Sequence, residues 1–268
     1  MKIMSWNVHG MRGRDGRSDP ERVAIVIEET GADVAGLQEV GALGRHRELL
    51  DPAGTLAQLT GLTQAFGLTE LRGGYPYGNC ILSRFPISAT RSYDLSVEGR
   101  EKRGCLRADI NPSAFALHFF NCHLGLNRHE RRRQAAQLLS ADILRDAALC
   151  YPLVLVGDFN AWSSRSAVPR WIRKELADAA LVARSAGATF PAMFPVLRLD
   201  RAYVGPAVRV LGCTVHDSTF ARLASDHLPI VMEIELETAA RCPPTARPIA
   251  AQGVTTEIGA PSVGELNR

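Results

Sequence analysis

No C-x-x-C pair occurs among the six cysteines, Cys80, Cys105, Cys122, Cys150, Cys213 and Cys242. Most of them lie in apolar, strand-like runs, so reduced buried thiols are expected and neither a zinc site nor a disulfide framework is favoured. The sequence also lacks an apolar run long enough to span a bilayer, and it shows no apolar leader: Met1-Lys2-Ile3-Met4-Ser5 already reads as strand. A cytoplasmic protein is expected, acting as a monomer. Charge of one sign is lacking too. The net charge is only +3, which excludes a global basic field for nucleic acid and leaves only local patches. What is present suits a folded enzyme: 46% hydrophobic and 22% charged residues can bury a sizeable core. A length of 268 residues is within reach of one large β-rich or α/β domain.

Lys2 to Val8 reads as a strand, and Ser18-Asp19-Pro20-Glu21 opens a helix, with Ser18 as the cap and Glu21 at the capping-box position. Asp33 to Leu37 is a second strand leading to Glu39. Asp51-Pro52 opens a second helix that turns Leu56, Leu59 and Leu62 inward and ends near Gly61. Strand-like segments at Cys80 to Leu82, Ile87 to Leu95, Cys105 to Ile110 and Phe115 to His123 suggest an antiparallel meander. A long helix is expected from about Asn127 to Leu149 and another from Val168 to Leu176. Leu153 to Val156, Leu199 to Val204, Val208 to Val215 and Leu228 to Leu236 complete the strands. A strand–helix–strand half followed by a similar half predicts two packed sheets with helices outside. From Thr238 to Arg268 the chain turns rich in Ala, Pro, Thr and Gly and reads as a disordered tail behind a 1–237 catalytic domain.

Five short polar motifs end or open these apolar runs: Ser5-Trp6-Asn7, Gln38-Glu39, Asn121-Cys122-His123, Gly157-Asp158-Phe159-Asn160 and Ser225-Asp226-His227. Glu39 at a strand end suits a hard divalent cation, which relieves the cost of a half-buried carboxylate; the competing reading is a plain surface glutamate. Asp158 and Asn160 are one residue apart and point the same way. The Asp can take a proton from attacking water and the Asn can hold that water or a phosphate oxygen, unless the pair only makes an Asx turn. An imidazolium at His227 could neutralise charge growing on phosphoryl oxygens, with Asp200 as the carboxylate that orients its ring. His123 could bind phosphate or protonate the leaving oxygen, against a satisfied core histidine.

As an ordered set over roughly Lys2 to Leu236, these motifs resemble the endonuclease/exonuclease/phosphatase superfamily, the DNase I-like fold. Glu101-Lys102-Arg103-Gly104 and Phe194 to Arg201 are similar to a small bacterial branch of it whose substrate is unsettled. The resemblance implies an α/β four-layer sandwich: two packed mixed, mainly antiparallel sheets flanked by helices, with the site at one end. It implies Mg²⁺ or Mn²⁺ held by Glu39 with Asn7 and Asp226 nearby, Asp158 and Asn160 at the attacking water, an Asp200–His227 pair, and His123 and Asn79 on the phosphate side. Arg103 and Arg201 could clamp a phosphate or pair with acidic neighbours. The chain departs from secreted members of the fold in having no acid between Tyr75 and Arg84 to orient His123. It also lacks a long insertion of interleaved basic and aromatic residues.

The expected activity is hydrolysis of a phosphodiester by in-line water attack, with three readings of the partner. Arg12, Arg14 and Arg17, then Arg45, His46 and Arg47, then Arg128 to Arg133, slightly favour nucleic acid. Thr189 to Pro195 could meet the acyl chains of a phospholipid, although core packing is preferred for it, and a small phosphate ester remains open beside the lipid. Trp162 could stack on a base or pack under the site. A silent binding module is the remaining reading, disfavoured because every expected polar position is filled.

Overall fold

The computed structural model describes residues 1–41, 50–112, 116–149, 152–185 and 187–237. The Arg45–Arg47 cluster, the start of the Phe115 strand, Cys150, Cys242 and the Thr238–Arg268 tail lie outside these residues.

β1 (Lys2–Asn7) runs into a short 3-10 turn (His9–Met11), then α1 (Pro20–Thr30) and β2 (Val34–Val40). The cap of α1 is Asp19, which accepts from the amides of Glu21 and Arg22, not Ser18 as expected. Pro20 at the first helical position fixes this, because its missing N–H costs nothing there and the cap falls on the residue before it. Gly31 ends the helix in the left-handed region, at φ 62. α2 (Pro52–Thr60) is capped by Asp51 and ended by Gly61; Leu56 packs inward, but Leu59 is exposed, contrary to expectation.

β3 (Thr63–Arg72) and β4 (Tyr75–Ser83) form a hairpin across Gly73-Gly74, both at positive φ as a tight hairpin turn requires. β3 was not foreseen, since it buries only Ala65 and Gly67 and so shows no clean alternation. The expected meander holds for β5 (Ile87–Asp94), β6 (Gly104–Ile110) and β7 (Leu117–His123), whereas β4 belongs to the other sheet. α3 (Arg128–Leu138) carries a capping box of Asn127 and Glu130 and stops eleven residues short of the expected Leu149. Beyond Ser140 the side chains of Ser140 and Asp146 take the amides of Asp142 and Ala148, and such local acceptors compete with helix.

β8 (Leu153–Asp158), α4 (Ala167–Ile172), β9 (Ala177–Asp178), α5 (Ala179–Val182), β10 (Asp200–Val204), β11 (Val208–Val215), α6 (Thr219–Ala224) and β12 (Ile230–Leu236) complete the described chain.

The strands form two six-stranded sheets, ordered β11-β12-β1-β2-β4-β3 and β5-β6-β7-β8-β10-β9. Each has one parallel pair near its middle, β1·β2 and β7·β8, and is otherwise antiparallel. Ile3, Val34 and Ile81 of the first sheet meet Phe119, Val154 and Val156 of the second in the central core. Outer cores lie under α1, α2 and α6 on one side and α3 and α4 on the other, giving the four layers.

The sheets approach most closely at Gly36, where a Cβ would stand 2.6 Å from Val156 Cγ2. Beside it Gln38 donates to Asn121 Oδ1 at 2.7 Å, and the Asn121 amide donates to the carbonyls of Leu37 and Cys80. Two motif residues are thus used to join the sheets. Cys80, Cys105, Cys122 and Cys213 are buried free thiols, as expected. Among the described residues no helix is long and apolar enough to cross a membrane.

Candidate active site

The parallel pairs bring four strand ends to one edge of the sandwich. β1 ends at Asn7, β2 passes Glu39, β7 ends at His123 and β8 at Asp158. Register adds the rest: His123 and Asp200 are the two cross-strand partners of Asp158. Gly157 makes this possible, since a Cβ there would stand 1.9 Å from the Cys122 carbonyl oxygen.

Asp158 is the hub. Its Oδ1 accepts from the Asn160 amide at 2.8 Å, so the competing Asx-turn reading is realised, and Oδ2 remains turned to the cleft. That oxygen accepts from Asn7 Nδ2 at 3.1 Å and lies 3.6 Å from His123 Nε2 and 3.8 Å from His227 Nε2. The same Asn7 nitrogen donates to Glu39 Oε1 at 3.1 Å, and the Tyr77 hydroxyl donates to Glu39 Oε2 at 2.5 Å. On the far side Asp200 Oδ2 bonds His227 Nδ1 at 2.8 Å and accepts from Thr189 Oγ1 at 2.5 Å. Ser225 fixes the last motif by donating to the Asn7 carbonyl while taking the His227 amide, and Phe190 packs on the His227 ring.

The electrostatics divide the two histidines. Burial opposes charge on His227, but Asp200 and Asp158 outweigh it and raise its pKa to about 10, so the ring is an imidazolium. Burial and the Arg103 charge lower His123 to about 3, leaving it neutral. Its Nε2 lies 3.2 Å from the Asn160 side-chain nitrogen and faces Asp158 and Glu39 at 3.6 and 3.8 Å. Burial alone would raise Glu39, but His123, Tyr77 and Asn7 outweigh it and bring the carboxyl down to about 2. Asp158 is shifted the other way: burial and the nearby Asp200 charge raise it, against the pull of His227.

The donor set fits a hard divalent cation at the Glu39 end. Glu39 is ionised, Asp226 Oδ1 is buried without a hydrogen-bond partner, and carboxylates outnumber the single imidazolium. Asp158, Asp200 and His227 also cluster closely enough to chelate, but both His227 nitrogens face carboxylates and the ring is charged, which suits an ion-pair chain better than a ligand. Asn7 presents its N–H to the carboxylates and its carbonyl to the His9 amide, so serving as a ligand requires its amide to turn over.

Three residues here hold left-handed backbone without being glycine: His9 at φ 48, Glu39 at φ 58 and Asn160 at φ 48. Such strain persists where packing over-determines it and marks functional sites.

Asn79 and Arg103 line the cleft beside Glu39 and His123, and Arg103 also pairs with Glu101, the acidic neighbour of its alternative reading. Arg201 does not join them, and its reading as a phosphate clamp is corrected. It is fully buried, donates to the carbonyls of Ala161 and Arg198, and lies 3.8 Å from Asp178. It supports the turn after Asn160 from beneath. The Thr189–Pro195 stretch is not simply core either: Thr189 and Phe190 hold the Asp200–His227 pair, and Phe194 is exposed. Trp162 is also exposed and does not pack under the site.

Sequence reasoning missed His9, whose Nδ1 is 3.7 Å from Asp226 and 3.9 Å from Glu39. It missed Tyr77 as well. The signal for His9 was its place two residues past Asn7 at a strand end, and Tyr77 carried none beyond a strand position.

The Endonuclease/Exonuclease/phosphatase family description matches residues 4–227, which contain every residue of this constellation. The chain belongs to that family. The Escherichia coli K12 protein YbhP, described as uncharacterized, is 32% identical over 250 residues, covering 88% of this chain and 96% of its own. A family structure from Beutenbergia cavernae is 28% identical with a TM-score of 0.73, covering 88% of this chain and 72% of that one. The mannosyl-6-phosphatase of Bacteroides thetaiotaomicron is similar in fold, with 21% identity, a TM-score of 0.73 and coverage of 88% and 100%. Members of the family are hydrolases of phosphate esters and generally depend on divalent metal.

Proposed function

We propose that this chain is a divalent-metal-dependent phosphoesterase that hydrolyses its substrate by in-line attack of water. The observation that carries the reading is the position of Asp158, its Oδ2 accepting from Asn7, which also bonds Glu39, and facing the His227 imidazolium on the other side. Glu39, Asp226 and Asn7 would hold Mg²⁺ or Mn²⁺, which polarises the phosphoryl group when bound.

Asp158 takes the proton of the attacking water, its raised pKa making it a better base than an ordinary carboxylate. Asn160 fixes the Asp158 carboxylate through its amide. His227, held by Asp200 and Thr189, presents a permanent cation to the charge that develops on the phosphoryl oxygens.

A small phosphate ester is the favoured substrate, because a compact cavity carrying Asn79, Ser92, Lys102 and Arg103 adjoins the Glu39 end of the cleft. The arginines at the start of α3 support nucleic acid as the second reading, though Arg131 is committed to the carbonyls of Gly125 and Leu126. Hydrolysis of p-nitrophenyl phosphate, bis-p-nitrophenyl phosphate, plasmid DNA, RNA and phospholipid vesicles with Mg²⁺ or Mn²⁺ tests the proposal, with Asp158→Ala as the blank. Turnover of a phosphate ester that the blank loses is expected. Absence of turnover on every substrate with either metal overturns it in favour of the silent module.

A further inference from the structure

A cavity of about 280 Å³ lies in the groove where the β3–β4 edge of one sheet faces β5 and β6 of the other. It opens onto the Glu39 and His123 side of the site, since Thr69, Asn79, Lys102 and Arg103 line both spaces. The cavity therefore lies beside the Glu39 end of the cleft, and neither space is lined by Asp200 or His227. Polar groups stand on both sides, among the apolar side chains of Leu68, Tyr93, Cys105 and Leu106. Thr69 comes from β3, Asn79 from β4, and Ser92 and Asp94 from β5; Lys102 and Arg103 precede β6.

Several of these groups have hydrogen-bonding capacity to spare. Among the described residues no bond is made by the hydroxyls of Thr69 and Ser92. Asn79 uses its amide N–H on the Gly104 carbonyl and keeps its own carbonyl free. Arg103, only 5% exposed, donates through its terminal nitrogens to Glu101 and the Lys102 carbonyl, while its Nε is buried with no partner at all. A buried donor left unmade is costly, so its persistence on a cavity wall points to a ligand acceptor.

We propose that this cavity is the leaving-group subsite and that it takes a compact, polyhydroxylated group of monosaccharide size, making the substrate a sugar or polyol phosphate. The inference rests on the phosphoesterase reading and specifies its substrate class. An acyl chain would cover Leu68, Tyr93 and Leu106 but leave the donors and acceptors between them unsatisfied. A polyol instead offers both donors and acceptors around one ring, matching Asp94 and Asn79 as acceptors, Arg103 and Lys102 as donors, and the two hydroxyls as either. The volume falls just below the usual range for drug-sized ligands and suits one ring better than a polymer segment.

Calorimetric titration of the full chain carrying Asp158→Asn, so that no ester is consumed, tests this with Mg²⁺, using glucose 6-phosphate, inorganic phosphate, the dinucleotide d(TpT) and a short-chain lysophosphatidylglycerol. Glucose 6-phosphate is expected to bind at least about tenfold tighter than inorganic phosphate. Ser92→Trp, which drives a ring into the cavity, is expected to abolish that excess. Should this variant misfold by circular dichroism, Thr69→Val and Lys102→Ala must each reduce the excess at least about threefold. A sugar phosphate no tighter than inorganic phosphate, an excess that survives these substitutions, or tenfold tighter binding of the dinucleotide or lysolipid overturns the proposal. Failure of the phosphoesterase reading has a different signature: no turnover of either p-nitrophenyl ester by the wild-type chain.

Discussion

Asp158→Asn separates what the site needs for chemistry from what the fold needs for stability. The substitution keeps the shape of the side chain and removes its charge. Burial and the Asp200 charge raise the Asp158 pKa above its ordinary 3.8, so ionising this carboxyl costs the folded state free energy. The sign follows from linkage. A carboxyl raised in the folded state carries its full penalty above its folded pKa and none below the unfolded value. Imperfectly compensated burial of a polar group costs about 1–3 kcal/mol. A domain of this size shifts by about 2–4 °C per kcal/mol, so the variant should melt roughly 2–12 °C higher at pH 8 without divalent metal. The gain should vanish near pH 4, where both proteins carry a neutral side chain. Turnover should meanwhile fall at least about a hundredfold, or ~3 kcal/mol of transition-state stabilisation. Thermal denaturation in EDTA at the two pH values, paired with kcat at pH 8, tests both halves. A variant less stable than wild type at pH 8, or equally stabilised at pH 4, refutes the electrostatic argument; retained turnover refutes the base assignment.

Asp200→Asn should weaken the support that holds His227 near 10 and bring the alkaline limb of the pH–rate profile down, with kcat reduced roughly 10–100-fold; an unmoved limb would detach Asp200 from that role. The raised His227 value also makes wild type lose stability as pH climbs from 6.5 through about 10, and denaturant titrations across that window should show a smaller loss in Asp200→Asn. Glu39→Gln should raise the Mg²⁺ concentration for half-maximal activity at least about tenfold, and an unchanged requirement would remove Glu39 from the metal end. Gly157→Ala forces a Cβ against the Cys122 carbonyl, and a melting temperature equal to wild type would contradict that close approach. Arg201→Lys should lower stability by about 1–3 kcal/mol with KM little changed, since its buried contacts are to backbone carbonyls; a raised KM with unchanged stability would restore it to the substrate.

Much of the site was legible because its residues sit at strand ends. An apolar run such as Leu153 to Val156 announces a buried strand, and a polar residue at its end has few structural reasons to be there. Asp158, Glu39 and His123 stood out for this reason. What stayed hidden depended on pairings that sequence does not encode locally. β3 is an edge strand with one weakly buried face, so periodicity was silent, yet it supplies Thr69 to the cavity wall. Arg201 could be read as a phosphate clamp or as the partner of an acidic neighbour, and only the β8–β10 register and its place near Asp178 show the second. Asn121 carried the look of chemistry and turned out to hold the sheets together.

The two parallel pairs explain why an ordered series of motifs can define one site. In a parallel pair both strands finish at the same edge, so β1·β2 brings Asn7 beside Glu39 and β7·β8 brings His123 beside Asp158. Packing the sheets through Gly36 and the Gln38–Asn121 bond then sets one pair of ends against the other. The antiparallel neighbours β10 and β12 contribute from their starts: Asp200 opens β10, and Asp226 and His227 precede β12. Every member of the constellation therefore lies on a strand or within four residues of a strand end. Its precision depends on sheet–sheet packing, which is why a methyl group added at Gly36 or Gly157 should disturb activity even where the chain still folds.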